Sequence, residues 1–345
     1  MILDTVGMFD ASAAFPEQLA RALDVSLRAL DGLALPAHDS IANIVLLGSG
    51  AAGQAGALVL EAVGPTIPVP IVVHRGYGVP NFVDSSSLVL AISFDGETAE
   101  TLEAAQDAHD DGATVVCVSG GGQLHSWAQS HGLAHLPVMS DAPVERAALG
   151  SLSVPLLMVL ERVGMYPGAE TWIGSAIAQT TIRRDELIAE DNLARHLARR
   201  LGRAFPIIYG GNGPGGVAAQ CWKTQFNQNA KVAAFCNQVP ELTRDEIAGW
   251  GQDGDVTRQI FQAFLLRHDF EHPQVASRLD IVEEILVEVV GEVHCVVAAG
   301  EGLLAQLFDL ELLGQFVSLH AAIEQEVDPG PVPIVAEIAS RVGEA

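Results

Sequence analysis

Two glycine-rich turns hold the residues of this sequence whose types and spacing could bind a small anion or a polar ligand. The first, Gly48-Ser49-Gly50-Ala51-Ala52-Gly53-Gln54-Ala55-Gly56, follows an apolar run and opens a helical pattern. Backbone N–H groups at such a turn point outward, and the helix dipole favours an anion there. Three readings fit it. One is an anion cradle, with Gly50 and Ala52 lining it. Another is a dinucleotide turn of the G-x-G-x-x-G kind, which requires an acid ending the next strand, about 20 residues on; here that run ends in His74-Arg75. The last is a structural turn whose glycines only let helix and strand pack closely. The second turn, Ile92-Ser93-Phe94-Asp95-Gly96-Glu97-Thr98, offers the Ser93 and Thr98 hydroxyls to a phosphate, with Gly96 letting the backbone approach. It also reads as a helix cap with acids complementing the dipole. Asp95 suits that second reading better, because its carboxylate takes the place an anion would use.

The elements that position these turns form a repeating pattern. Short apolar runs at Ile44–Leu47, Ile71–Val73, Leu88–Ile92 and 113–118 read as buried strands, with helical segments at Ala51–Val63 and Glu97–Asp110. Strand, glycine turn and helix in succession imply an α/β fold with a parallel sheet covered on both faces. A helical stretch from about Glu170 to Leu201 separates this half from a second one. The second half restarts with the strand 206–209, the turn Gly210–Gly216 and a helix through Lys231. Further strands are expected at Val232–Phe235, Phe261–Arg267 and His294–Ala298, and closing helices at Gly302–Glu326 and Pro333–Val342. The expected division is a first domain over 1–165, a linking helical segment over 166–200 and a second domain over 201–345. Ligands are expected beyond the carboxyl ends of the strands where the halves face each other.

The 345 residues are 49% hydrophobic and 18% charged, ample for sizeable cores. The formal net charge of −25 argues against nucleic acid and anionic membrane as partners. Cys117, Cys221, Cys236 and Cys295 lie far apart, with Cys117 and Cys295 in apolar runs where buried thiols are the default. The histidines are read as surface or satisfied core residues, so no metal or other cofactor is expected. The start lacks a basic signal-peptide region, and the apolar runs are too short to span a bilayer, so a cytoplasmic protein is expected.

Together with six segments spread along the rest of the chain, the turns resemble the bifunctional phosphoglucose/phosphomannose isomerases. The resembling segments are Gly76–Pro80, Pro143–Gly150, Lys223–Lys231, Pro240–Ile247, Gly314–Ser318 and Val327–Pro329, in the family's order and spacing. The resemblance implies two sugar-isomerase (SIS) domains, each a five-stranded parallel sheet flanked by helices. It also implies a metal-free aldose–ketose isomerisation, a sugar-phosphate ligand and a homodimer.

The departures from that family fall on its chemistry. Its proton-shuttling glutamate corresponds to Gln228, and an amide cannot take and return a proton near neutral pH. Its ring-opening histidine corresponds to Arg244, whose guanidinium stays protonated. A C-terminal lysine of the family falls near Ala339. The family's serine in the first turn corresponds to Ala52, and the middle serine of its second turn to Asp95. Ser93, Gly96, Thr98, Arg146 and Lys231 survive as candidate ligand contacts. Glu246, with Asp245 and Glu241 near it, is the candidate substitute acid/base. The expected function is binding of a carbohydrate derivative with isomerase activity lost or altered. An active isomerase working through Glu246 and a non-catalytic structural dimer or enzyme partner are the alternatives.

Overall fold

Val89, Leu90, Ala91 and Ile92 are wholly buried, because a central parallel strand with helices on both faces has no solvent side. The computed structural model describes residues 3–139 and 141–343. It divides into two compact units, Phe15–Ile177 and the residues up to Ala14 together with those from Ala178 on. The short helix α1 (Met8–Ala13) belongs with the second of these.

The first unit opens with α2 (Phe15–Leu30), which buries Phe15, Leu19, Ala22, Ser26 and Leu30. Their spacing of three or four residues makes one helical stripe. Then come β1 (Asn43–Leu47), α3 (Gly50–Val63), β2 (Ile71–His74), β3 (Ser87–Ser93), α4 (Ala99–Asp110), β4 (Thr114–Ser119), α5 (Gly122–His131) and β5 (Ala134–Pro137). The five strands are parallel and ordered β2-β1-β3-β4-β5. The order reverses between β1 and β3, so the turns after these two strands border the sheet's crevice. Helix α6 (Leu149–Arg162) is buried along Leu149–Leu160 and is tied to α2 through Gln18. The Gln18 amide donates to the Ala147 carbonyl at 2.8 Å and accepts from the Ser151 N–H at 3.2 Å.

Helix α7 (Ala169–Leu187) and helix α8 (Leu193–Leu201) replace the single helix expected over this stretch. The break is chemical: the Asn192 side chain accepts the Arg195 N–H at 2.9 Å and starts a new helix. The second unit continues with β6 (Phe205–Gly211), α9 (Pro214–Gln225), β7 (Phe235–Val239), α10 (Gly254–Ile260), β8 (Phe261–Arg267), α11 (Pro273–Val287), β9 (Glu292–Val297), α12 (Leu303–Glu324) and α13 (Pro333–Val342). Its sheet is parallel and ordered β7-β6-β8-β9, with four strands among the described residues where five were expected. Here too the order reverses next to a glycine turn, between β6 and β8.

Helix α12 is buried on all sides over most of its length. Most of its polar residues are therefore matched, Glu311 Oε2 being an exception. Asp309 accepts two bonds from the Arg183 guanidinium, both at 2.8 Å, and one each from Gln179 and the Ala299 N–H. Gly314 admits the Trp222 ring, whose Nε1 donates to the Leu310 carbonyl at 2.8 Å. A Cβ at 314 would lie 2.3 Å from that nitrogen. Cys117 is buried as expected, but Cys295 is exposed: β9 is an edge strand and this residue lies on its open face. No helix of the described residues is long and apolar enough to cross a membrane.

Candidate functional site

In the first unit the crevice at the β1/β3 reversal gathers most of the expected ligand contacts. Gly48 follows β1, and a Cβ there would lie 3.0 Å from Ala52 Cβ and 3.2 Å from the Ile92 carbonyl. The turn after β1 is thereby pressed onto the end of β3. Gly50 starts α3 with a left-handed φ of 55°. Ala52 is buried in the first turn of that helix, and its side chain brings no donor to the crevice.

After β3, the Ser93 hydroxyl lies 2.9 Å from Thr98 Oγ1 and accepts the Gly96 N–H at 3.0 Å. Asp95 Oδ1 accepts the Glu97 N–H at 2.9 Å and the Ser93 hydroxyl at 3.3 Å. Its carboxylate thus takes a backbone amide and a hydroxyl of the kind that a bound anion uses. Gly96 has φ 83°, and a Cβ there would come within 2.0 Å of the Gly121 carbonyl, so no other residue fits. The loop is fastened to the start of α5. Glu97 accepts from the Gln123 N–H at 3.1 Å and its side-chain amide at 2.8 Å, and the Leu124 N–H donates to the Gly96 carbonyl at 3.0 Å.

Glu145 joins this group, although no motif in the sequence singles it out. It lies on the short 3₁₀ turn Glu145–Ala147, beside Arg146. Its Oε1 would be 3.0 Å from a Cβ on Gly50, so the carboxyl sits over the first glycine turn. That carboxyl is raised above the usual carboxylate range, first by desolvation and then by the Asp95 charge, with Arg146 opposing. The acids Asp95, Glu97 and Glu145 therefore meet two guanidinium groups at the turns, Arg146 beside Glu145 and Arg75, which donates to the Gly53 carbonyl at 3.0 Å. The approach of Glu145 to Gly50 is made by the fold alone. Further along the sheet end, Ser119 Oγ lies 3.0 Å from His135 Nε2, and the His135 ring stacks on His125 with centroids 4.3 Å apart. Burial and that neighbour push His135 down to about 4.

The second unit holds the other expected residues, and the structure distributes them over two places. Gln228 and Lys231 belong to the turn after α9, where Phe226–Ala230 form a π-helical turn. Such turns recur at functional sites. Gln228 is half-buried, and Asn229 ties the turn to α12 by donating to Ser318 Oγ at 2.9 Å. Lys231 has a left-handed φ of 56°, and its ammonium lies within 2.7–3.3 Å of the carbonyls of Gln228, Asn229, Asp328 and Pro329. Those contacts make it a clamp between two backbone segments.

Arg244 and Glu246 lie after β7. Arg244 is exposed. Glu246 accepts from the Tyr209 hydroxyl and, at 2.7 Å, from the Asn237 amide. Asp245 caps the Glu246 N–H at 2.5 Å, and Trp250 Nε1 reaches the Tyr209 hydroxyl at 3.3 Å. Tyr209 is pushed well above its ordinary value, first by burial and then by Glu246. Both Glu246 oxygens are thus engaged by neighbours.

Residues 190–342 match the bacterial phospho-glucose isomerase C-terminal SIS domain. Over 98% of its length the chain is 32% identical to the bifunctional phosphoglucose/phosphomannose isomerase of Caldicellulosiruptor bescii, covering 99% of that protein. It belongs to the bifunctional phosphoglucose/phosphomannose isomerase family. The isomerase of the same name from Thermoplasma acidophilum is 29% identical over 88% of the chain and 90% of its own length. Among solved structures, the fold is shared with tagatose-6-phosphate ketose/aldose isomerase from Escherichia coli. The TM-score is 0.71 at 12% identity, with 94% of each chain covered. It is also shared with the C-terminal domain of glucosamine-fructose-6-phosphate aminotransferase from Francisella tularensis. That TM-score is 0.69 at 15% identity, covering 93% of this chain and 97% of the other.

No group of three or more metal-ligating side chains occurs among the described residues. His131 and His135, and likewise His268 and His272, are spaced four apart. Neither pair shares a helix, since His135 lies in β5 and His272 only caps α11.

Proposed function

We propose that this member of the isomerase family binds a carbohydrate derivative at the crevice of its first unit, with aldose–ketose isomerisation lost or altered. The observation that carries this reading is Asp95, whose carboxylate takes the Glu97 N–H and the Ser93 hydroxyl of the Ser93–Thr98 turn, with the Glu145 carboxyl beside Gly50. A phosphate entering that turn would meet negative charge. At about 4 Å a like-charge contact costs about 1 kcal/mol in water and several-fold more when desolvated. A ligand without a phosphate there, or with an amine to meet the acids, fits better than a hexose 6-phosphate.

Gln228 and Arg244 add to the proposal, since neither side chain cycles a proton at neutral pH. Glu246, the substitute base of the alternative reading, is held by Tyr209 and Asn237 on both oxygens. The family names and the sugar-phosphate relatives favour that alternative, an active glucose 6-phosphate/mannose 6-phosphate isomerase. A coupled assay with fructose 6-phosphate separates the two. The proposal expects no turnover above background. Turnover that disappears in Glu246→Gln overturns it. A homodimer in the cytoplasm is part of the proposal, and sedimentation analysis of the purified chain checks the dimer.

A further inference from the structure

None of the residues expected from the family resemblance lies at the strand reversal of the second sheet, between β6 and β8. There β6 ends in Gly210-Gly211, and the chain turns through Asn212-Gly213 into α9, which opens Pro214-Gly215-Gly216. The turn is pressed onto both strands. A Cβ on Gly210 would lie 2.2 Å from the Gly215 carbonyl oxygen, and one on Gly215 would lie 3.2 Å from the Leu266 carbonyl. Helix α9 runs for 12 residues. Its first N–H groups have no acceptor within the helix, and they form the positive end of its dipole.

Directly after β8 stands His268, only 6% exposed. Its Nδ1 accepts the Phe270 N–H at 3.2 Å, which puts the proton of the neutral ring on Nε2. Burial lowers the ring's affinity for a second proton, against the opposing pull of Glu271 and Asp269. The Nε2–H has no partner among the described residues. Its ring edge faces the start of α9, with Cδ2 3.3 Å from the Cβ position at Gly215. Buried polar atoms are normally satisfied, so an unmatched donor beside a helix N-terminus marks a missing oxygen. The acids nearby are already engaged. Asp269 accepts from the Gln306 amide at 2.6 Å, and Glu271 holds the Arg267 guanidinium at 2.9–3.1 Å.

We propose that the start of α9, at Gly215 and Gly216, and the Nε2–H of His268 form a second, phosphoryl-binding subsite in this unit. Pro214 has no N–H and the Val217 N–H is held by the Gly213 carbonyl, so the Gly215 and Gly216 N–H groups and the imidazole are the donors, and a tetrahedral oxyanion can offer an oxygen to each. The phosphoryl group is either free or borne on a sugar. The ring nitrogen is closed to solvent, so entry requires a shift of the exposed Asp269–Phe270 segment. This subsite shares no residue with the Ser93–Thr98 crevice, and it stands or falls separately.

The test is a titration of the full chain, labelled with ¹⁵N-histidine, with inorganic phosphate, glucose 6-phosphate and acetate at constant ionic strength. The His268 Nε2 resonance, identified by its loss in His268→Asn, is expected to shift saturably with a phosphate source and not with acetate. A response to inorganic phosphate identifies the free ion, and a response to glucose 6-phosphate alone identifies a sugar-borne group. By calorimetry His268→Asn, whose Oδ1 can still accept the Phe270 N–H, is expected to bind at least tenfold more weakly. The double variant Ser93→Ala/Thr98→Val is expected to keep the wild-type response. No shift with either phosphate source, an equal shift with acetate, or loss of the response in the double variant overturns the subsite. So does undiminished binding by His268→Asn. If that variant does not fold, His268→Gln supplies the assignment and the affinity comparison in its place.

Discussion

Glu311 sits in the middle of α12 with its side chain wholly enclosed, and its burial makes a measurable demand on pH. Oε1 accepts from the Gln225 amide at 2.5 Å and from the Gln315 amide at 3.3 Å. Oε2 has no partner, and neither has Gln225 Oε1. Two lone acceptors on residues already joined by one bond are explained by a proton on Glu311, which turns Oε2 into a donor. Desolvation, opposed by the bonds from Gln315, Cys221 and Gln225, raises the carboxyl from 4.5 to about 7. The unfolded chain ionises near 4.5, so this group's stabilising effect is complete below that pH. It declines as pH rises to about 7 and stays lost above. At 1.36 kcal/mol per pH unit the difference amounts to about 3 kcal/mol. Glu311→Gln keeps the shape and supplies a permanent N–H donor in place of the O–H. The variant is expected to match wild type near pH 4.5 and to be about 3 kcal/mol more stable at pH 8. Urea unfolding at intervals from pH 4.5 to 9, read as variant minus wild type, cancels the titrations common to both. A flat difference across that range, or a variant less stable at pH 8, refutes the protonated pair.

Further expectations concern the crevice, the loops and the core. Asp95→Ser removes the charge and restores a hydroxyl, so fructose 6-phosphate is expected to bind at least tenfold more tightly, by calorimetry; unchanged affinity counts against the charge argument. Gly96→Ala forces a Cβ onto the Gly121 carbonyl at a left-handed φ, and a loss of several kcal/mol in urea unfolding is expected. Arg183→Met leaves Asp309 enclosed without its cation and is expected to cost about 3–5 kcal/mol, with Asp309→Asn in the same background restoring part of it. His294 is pushed down to about 4 by burial and then by Arg200. Its contribution to stability is therefore lost as pH falls from 6.5 through 4, and His294→Gln is expected to flatten that acid limb.

The framework was legible wherever a strand is an uninterrupted apolar run. Leu88–Ile92 and Ala263–Leu266, the apolar stretches of β3 and β8, announced these strands because both faces are covered there. β5 was not seen: in Ala134-His135-Leu136-Pro137 only Leu136 is buried, so the edge strand has no apolar pattern. The helix break at Asn192 was missed because a single capping side chain makes it. In the crevice, glycine turns after strands gave Gly50, Ser93, Asp95, Gly96 and Thr98, since local backbone geometry needs those residues. Glu145 was out of reach, because nothing near it in the chain indicates that it will meet Gly50. Lys231 was named a candidate ligand contact through the family resemblance; its bonds to carbonyls as far along the chain as Pro329 depend on the fold and were not legible in the sequence.

The Gly96–Gly121 approach, with the bonds from Gln123 and Leu124 into the same loop, fixes that loop before any ligand arrives. Such a loop loses little conformational entropy when it is occupied, and it cannot refold around a differently shaped guest. On so fixed a backbone the choice of guest falls to the short side chains of the loop, Asp95 among them. The amides of residues 96–98 are accordingly expected to exchange slowly with solvent in the empty protein.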